Sequence, residues 1–450
     1  GNIELSNFTE ITQAITSRSD HRSEGYLMRA NYSYDRGRYS IESSFRRDGT
    51  SKFHRDVRWG NFWSTGASWN IARESFMEDI AWLDNLKFRA SYGINGNLEG
   101  IGDYNWQDVY LLNYNNQNEA GYFQDPSAAN RFLTWEKQSQ FSLAIDYSFF
   151  RHRLSGTIEY FDKRNDDLLF SVRQPASTGL TTQNQNIGAL YNKGVELDIS
   201  VDVIRIRDFL WNISLSAATL KNRITRMPDD NPEMISGTKK LMVGSSIYDF
   251  FMYDWYGVDP RDGHTLYYLD PDATWDESST RVMPNGDLVA TSTDKAARVY
   301  KGSAIPDVYG GFSTSFHYKN ISLTARFGYQ LGGLLNDPVY RSTTYSGRYG
   351  YSMHEDMTRR WQKPGDITDI PRMDNTYAQV FNTSSTRYLI SSNYLVLNSA
   401  TASYNFPDII TEYMGVRELT LNLSGENLFL LSKRKGMNPM ESFSGTTSNS

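Results

Sequence analysis

Two segments concentrate residue types that can hold a polar ligand. They are "YNWQDVYLLNYNNQNEAGYF" at 104–123 and "YRSTTYSGRYGYSMHEDMTRRWQKPGD" at 340–366, where aromatic rings alternate with Asn, Gln and Arg. Such rings stack on sugar faces or peptide side chains, and the neighbouring amide and guanidinium groups hydrogen-bond them. Trp106, Tyr110, Tyr114, Tyr122, Arg359 and Trp361 are the candidate substrate contacts. The same rings can instead pack long loops on one another or on a partner protein, and residue type alone leaves both roles open.

The residues give catalysis little to work with. His21, His54, His152, His264, His317 and His354 lie far apart, without the His-x-x-x-His or His-Glu-x-x-His spacing of a zinc site. There is no Gly-x-Ser-x-Gly elbow and no phosphate-binding Gly-x-x-x-x-Gly-Lys-Ser/Thr segment. The acidic stretches "DPRDG" at 259–263 and "DPDATWDESS" at 270–279 lack the spacing of a calcium loop. The first reads as a tight turn, with proline presetting φ and glycine taking a left-handed angle. The signals for nucleophilic catalysis and nucleotide binding are therefore absent and a metal site has little support; the chain is expected not to be an enzyme, with a barrel hydrolase using one of the scattered histidines as a lesser alternative.

The elements that position the aromatic loops are strands. In "FSLAIDYSFFRHRLSGTIEYFDK" (141–163), Phe141, Leu143, Ile145, Tyr147 and Phe149 share one face with Leu154, Gly156, Ile158 and Tyr160 of the returning strand. Ser142, Asp146, Ser148, Ser155, Thr157 and Glu159 take the other face, because successive side chains in a strand alternate. The pattern recurs around 195–217, 312–331 and 26–45, and in "LKFRASYG" and "ELTLNLSGEN". About 14 such strands of roughly 10 residues can be counted, the length a tilted strand needs to cross a bilayer. Within the three clearest hairpins the apolar register holds no charge, whereas the polar one holds Asp146, Glu159, Glu196, Asp198, Asp202 and Arg326.

The connections alternate in length. Short turns are predicted at about 35–37, 150–152, 204–208, 259–263 and 319–320, with a longer one near 73–85 that can hold a helical turn. Long loops are predicted at about 48–59, 95–135, 164–190, 222–246, 271–306 and 332–386. That alternation is expected of an antiparallel up-and-down transmembrane β-barrel, and a β-sandwich has no reason to sort its loops so. Composition agrees: the 450 residues include 14% aromatics with 30 tyrosines and 10 tryptophans, no cysteine, and 46 basic against 52 acidic side chains. The net charge of −6 carries no nucleic-acid footprint. No apolar run reaches the roughly 18 residues of a spanning helix, so contact with a membrane would be made by a closed barrel. The alternative is a secreted, soluble β-protein that binds glycans through its aromatic loops.

"SFRRDGTSKFHRDVRWGNFWSTGASWNIARESFM", "WLDNLKFRASYGINGN", "LTWEKQSQFSLAIDYSFFRHRLSGTIEYFDKRNDDLL", "NKGVELDIS", "GSAIPDVYGGFSTSF", "RWQKPGDITDIPR" and "SGENLFLLSKRKGMNP" follow one another along the chain. In content and order they resemble the barrel of the SusC/RagA family of TonB-dependent outer-membrane transporters of the Bacteroidota. The resemblance implies a barrel of roughly 22 strands, of which residues 1–450 form the C-terminal portion, the plug domain and the N-terminal strands lying outside this chain. It implies import of a bulky hydrophilic nutrient, an oligosaccharide or a peptide, across the bacterial outer membrane. The implied partners are a SusD-like surface lipoprotein, the TonB–ExbB–ExbD complex acting through the absent N-terminal region, the N-terminal remainder of the same barrel, and outer-membrane lipid. A dimer of transporter–lipoprotein pairs is implied too, and no cofactor.

Overall fold

A computed structural model of the chain describes residues 19–114, 120–124, 127–229, 231–345, 350–434 and 438–440. One antiparallel meander dominates it. In chain order its strands are β1 (Ser23–Tyr34), β2 (Tyr39–Thr50), β3 (Trp59–Asn70), β4 (Leu83–Asn97), β5 (Glu136–Phe149), β6 (Leu154–Arg173), β7 (Thr182–Ile206), β8 (Phe209–Ala218), β9 (Val308–Tyr318), β10 (Ile321–Leu331), β11 (Tyr394–Asn405) and β12 (Thr420–Ser432). Each pairs with the next, and two shorter strands, Ser127–Ala128 and Lys221–Arg226, join β7 to complete a sheet of fourteen. The sheet is all-antiparallel except for the short contact of Ser127–Ala128 with β7.

Pairing follows the hydrophobic alternation. Ile145 lies opposite Ile158, Leu143 opposite Tyr160, and on the next strand Val195 opposite Tyr160 and Leu197 opposite Ile158. This apolar register is the exposed one. Phe141, Leu143, Ile158 and Tyr160 are 39–44% exposed, while Ser142, Ala144 and Ser148 between them are nearly closed off. A water-soluble fold would reverse that order, so the exposed face is built for lipid. From Phe141 to Phe149 this face runs roughly 27 Å along the strand at about 3.4 Å per residue. At the usual tilt of about 40° it covers about 20 Å of a membrane's apolar band.

Both ends of the band are marked. Beyond Tyr160 and Val195 the same register turns charged, with Lys193 Nζ 3.3 Å from the Asp162 carboxylate and Arg164 3.0 Å from it. Further along the sheet the Arg47 guanidinium lies 5.1 Å from the Trp59 ring. At the other end rings cluster near the tight turns: Tyr34 beside Tyr39, Trp82 beside Phe149, and Trp211 stacked 5.5 Å from Phe316. Rings with polar tips favour the interface between hydrocarbon and water.

The connections of two to four residues all lie at one end of the sheet and the three longest all lie at the other. At one end lie 35–38, 71–82, 150–153, 207–208, 319–320 and 406–419; at the other lie 51–58, 98–135, 174–181, 219–307 and 332–393. The turn at 35–37 places Asp35, Arg36 and Gly37 at positive φ, which glycine takes without strain and aspartate tolerates. The connection at 71–82 holds two 3₁₀ turns, Ile71–Arg73 and Ser75–Met77, as expected.

Two expected connections are corrected. The turn at 259–263 does not join membrane strands. It belongs to a single excursion, 219–307, between β8 and β9, which folds into two small four-stranded sheets. There Phe250, Met252, Leu266, Tyr267 and Val289 are almost wholly buried in cores of their own rather than turned outward. The loop expected over 164–190 shrinks to 174–181, because β6 and β7 continue as a polar hairpin past the apolar band.

Arginine at Leu143 or Ile158 should cost about 2–4 kcal/mol each at mid-depth in the bilayer. In the full-length protein these variants should lower the folded fraction in outer-membrane preparations, read by heat-modifiable gel mobility. Arginine at Ser142 or Thr157 should leave it near the parental level, and equal tolerance at both registers would contradict the assignment of faces.

Candidate functional site

The polar register of the sheet forms a wall on which some of the charges are met locally. Arg89 on β4 donates two hydrogen bonds to Asp146 on β5, from Nε at 2.7 Å and Nη2 at 2.8 Å, and Thr157 Oγ1 on β6 donates to the same carboxylate at 2.9 Å. Arg29 pairs with Glu42, and Asn212 Nδ2 donates to Asp202 at 2.9 Å. A charged residue needs a partner or water: this register supplies a partner between adjacent strands for Asp146, Glu42 and Asp202, while Glu159, Glu196, Asp198 and Arg326 have no ion pair among the described residues.

Above the wall stands the long-loop end, where the candidate contact residues lie. Trp106 is half-buried; its indole N–H donates to the Ser51 carbonyl at 3.0 Å, and His54 meets the ring edge-on at 5.5 Å. It ties loop 98–135 to loop 51–58, over a small core of Phe53, Phe62, Ile101, Leu133 and Trp135. Tyr110 is exposed at the start of a hairpin made by Tyr110–Tyr114 and Ala120–Gln124. Tyr114 and Tyr122 belong to that hairpin's backbone, and their side chains lie outside the described residues. Arg359 forms ion pairs with Asp356 and Asp369, both at 3.2 Å, which hold its charge in place at the surface. Trp361 donates to the Pro260 carbonyl at 3.1 Å and packs against Gly263, whose φ of +74° and missing Cβ admit the ring. The six residues are thus not one cluster: Trp106 and Trp361 brace loops, while Tyr110 and Arg359 face outward.

A network missed in the sequence clamps excursion 219–307 to loop 332–393. Asp259 is fully buried and accepts from Arg261 and from Arg281 Nη1 at 2.7 Å. Arg281 Nη2 also donates to Asp262 at 2.9 Å, and Arg372 Nη1 donates to the Asp262 carbonyl at 2.6 Å while its Nη2 pairs with Asp374 at 2.7 Å. Burial pushes the Asp259 carboxyl up, but the hydrogen bonds from Arg261 and Arg281 outweigh it and hold the group at about 2. His264, buried beside this turn, meets Phe381 and Tyr377 edge-on at 4.7 and 5.2 Å, and burial lowers its pKa. Tyr267 adds a hydroxyl bond to the Val380 carbonyl at 2.6 Å. The visible signal was the Asp-Pro-Arg-Asp-Gly turn; its cation partners, Arg281 and Arg372, stand far off in the chain.

Among the described residues no group of three or more His, Asp or Glu side chains could hold a metal. One Ser–His contact exists, with Ser148 Oγ 2.7 Å from His152 Nδ1. It spans the β5–β6 turn, and the nearby Asp84 carboxylate accepts from the His152 backbone N–H rather than from the ring. That arrangement fastens a turn and lacks the oriented third group of a nucleophilic site. The geometry as a whole suits non-covalent contact with a hydrophilic solute passing a polar wall.

The match to the family "TonB dependent receptor-like, beta-barrel" covers residues 4–428. A TonB-dependent receptor of Formosa agariphila is 29% identical over 465 residues, covering 94% of this chain and 44% of the relative. The TonB-dependent receptor SusC of Bacteroides thetaiotaomicron is 28% identical over 444 residues, covering 92% of this chain and 41% of SusC. Among solved structures, the RagAB peptide importer in its closed-closed state superposes with a TM-score of 0.79 at 26% identity, covering 93% of this chain and 45% of that one. The chain spans less than half the length of these relatives.

Asp259 yields a pH prediction with a definite sign. Its folded pKa lies below the ordinary aspartate value near 3.8, so its stabilisation is complete above about pH 4 and fades as pH falls toward 2. The difference corresponds to about 2 kcal/mol. Replacing Arg281 by methionine at pH 7 should cost a similar or larger amount, about 2–4 kcal/mol, by leaving a buried carboxylate short of one cation. Hydrogen exchange in the full-length protein should report the loss as faster exchange at Thr265–Tyr268 with β5 and β6 unchanged.

Proposed function

The chain belongs to the TonB-dependent receptor-like β-barrel family of the bacterial outer membrane, and from that premise we propose that it serves TonB-dependent import of a bulky hydrophilic nutrient. In this reading residues 1–450 are the C-terminal portion of a transporter barrel. The polar wall lines the passage, the apolar register meets lipid, and the long connections lie outside the cell. A plug, further strands and the TonB-contacting segment come from elsewhere in the same protein, and a SusD-like lipoprotein caps the loops. The observation that carries the reading is the family match over nearly the whole chain, on a sheet whose apolar face is turned outward. One solved relative is a peptide importer, and the proposal holds open both a peptide and an oligosaccharide as the nutrient.

Exposed Tyr110 and Arg359 are the proposed substrate contacts at the loops, with Trp106 and Trp361 holding those loops in position. Tyr114 and Tyr122 complete the proposed aromatic set.

The test is uptake by cells carrying the full-length protein, using labelled oligosaccharides and labelled peptides with and without a functional TonB. Accumulation that requires both the transporter and TonB supports import, whereas accumulation of neither class contradicts it. Tyr110→Ala should raise the half-saturating concentration of the accepted substrate about two- to tenfold, as loss of a stacking ring does. Affinity capture of the intact transporter should bring down a lipoprotein at near-equal stoichiometry.

A further inference from the structure

Loop 332–393 encloses a cavity of about 510 Å³ between the short helix Pro338–Thr343, the segment 351–353 and the helix Ala378–Phe381. Its volume lies within the range of small-molecule sites. Arg341, Thr343, Tyr345, Tyr351, Gln379 and Asn382 are among its lining residues, and no Asp or Glu is among the described ones.

The helix is firmly placed. Asp337 accepts from the Tyr340 N–H at 2.8 Å as its N-cap, the Arg434 guanidinium lies 3.5 Å from the centre of the Tyr340 ring, and the Tyr340 hydroxyl donates to Asp356 at 2.7 Å. These contacts and neighbouring ion pairs also engage three nearby acids. Asp337 pairs with Arg434 at 3.0 Å, and Asp356 and Asp369 pair with Arg359. Arg341 remains half-buried at the cavity without a carboxylate partner among the described residues. A partly desolvated guanidinium without an anion favours one from outside, and its planar fork matches carboxylate and sulfate groups. Tyrosine rings with amide and hydroxyl groups around it suit a polyhydroxylated ring more than a flexible side chain.

We propose that this cavity is a binding subsite for an acidic saccharide, with Arg341 paired to the sugar's carboxylate or sulfate. The proposal rests on the importer reading and narrows its substrate class. Gln379 reaches the same space and is suited to hydrogen-bond sugar hydroxyls, while Asn382 is held by its own bond to the Ala378 carbonyl.

The test uses the full-length transporter, purified in detergent with whatever lipoprotein accompanies it, and titration calorimetry. The probes are a uronic-acid oligosaccharide, a sulfated oligosaccharide, a neutral oligosaccharide of equal length and an acidic peptide. At least one acidic saccharide should bind, and Arg341→Gln should weaken it tenfold or more while Arg341→Lys retains part of the affinity. Binding of the neutral sugar, where present, should be unchanged by either variant. Heat-modifiable mobility shows that each variant is folded, and Gln379→Ala gives a second, milder loss at the same site. Binding of the two acidic saccharides that is absent or indifferent to Arg341→Gln, or an Arg341 effect confined to the peptide, would overturn the subsite. Energised uptake persisting in such cases would leave the importer reading intact, so the two failures are separable.

Discussion

Backbone hydrogen bonding in hydrocarbon is the constraint on which the rest of the molecule depends. An amide left unpaired in lipid costs several kcal/mol, so a strand that crosses must be laddered to neighbours along its crossing length. The meander from β1 to β12 does this with pairings that run nearly unbroken across each strand. Laddering fixes the side-chain period at two, and the period sorts the residues. A one-residue slip would carry Asp146, Glu159 and Asp198 to the lipid face. At several kcal/mol for three charges together, that cost exceeds what any single cross-strand pair contributes, so register is enforced by exclusion. The irregularities at Asp202/Ile204, Arg326/Phe327 and Leu397/Ser399 bend strands without losing the alternation around them. The edges β1 and β12 have no partner among the described residues, and in the proposed reading further strands of the same barrel close them.

Past the apolar band the rule changes. Water is available to backbone groups there, so loops need only small local cores and a few fixed charges. Phe250 with Met252, and Leu266 with Val289, form such cores, and the Asp259–Arg281 pair fixes one loop and Arg372 on Asp262 joins it to the other where apolar area is scarce. A buried ion pair adds little net stability over apolar packing, yet removing one partner is costly. That asymmetry lets a few arginines fix how two long excursions sit together.

The sequence was legible wherever this period-two sorting applied. The hairpin 141–163, its outward face and the alternation of connection lengths follow from residue type and spacing. The turn at 259–263 misled, because an Asp-Pro-Arg-Asp-Gly turn between apolar segments serves a small loop sheet as well as a membrane hairpin. Local alternation records only that one face is covered, not whether lipid or a small core covers it. The discriminating feature was length, since the strands there span four or five residues where crossing strands need about ten. At 164–190 the opposite error arose, because past the apolar band the strands keep their ladder while one face is covered by loop residues instead of lipid, so the apolar alternation fades. Trp106 and Trp361 were visible as aromatic loop residues, but their bracing role was not, because Ser51 and Pro260 lie far from them in the chain. Arg341 stood unremarked beside them, since lack of a partner is a property of three-dimensional arrangement.

In the proposed reading, the partly paired wall and Arg341, which has no carboxylate partner among the described residues, divide passage from binding. Glu42, Asp146 and Asp202 on the wall are each engaged by a side chain of the wall itself. If the chain lines an import passage as proposed, these matched charges exert little net pull on a passing solute, and a passage that binds strongly along its length would hold its cargo rather than release it. Selection is better placed where the solute first arrives, at side chains carried on loops that the barrel's register does not constrain. Changes at the loop end are then free to alter what is bound, whereas changes on the wall must preserve both pairing and alternation. The two ends of one strand thus answer to different physics, the lipid band to backbone satisfaction and the loop end to the chemistry of the ligand.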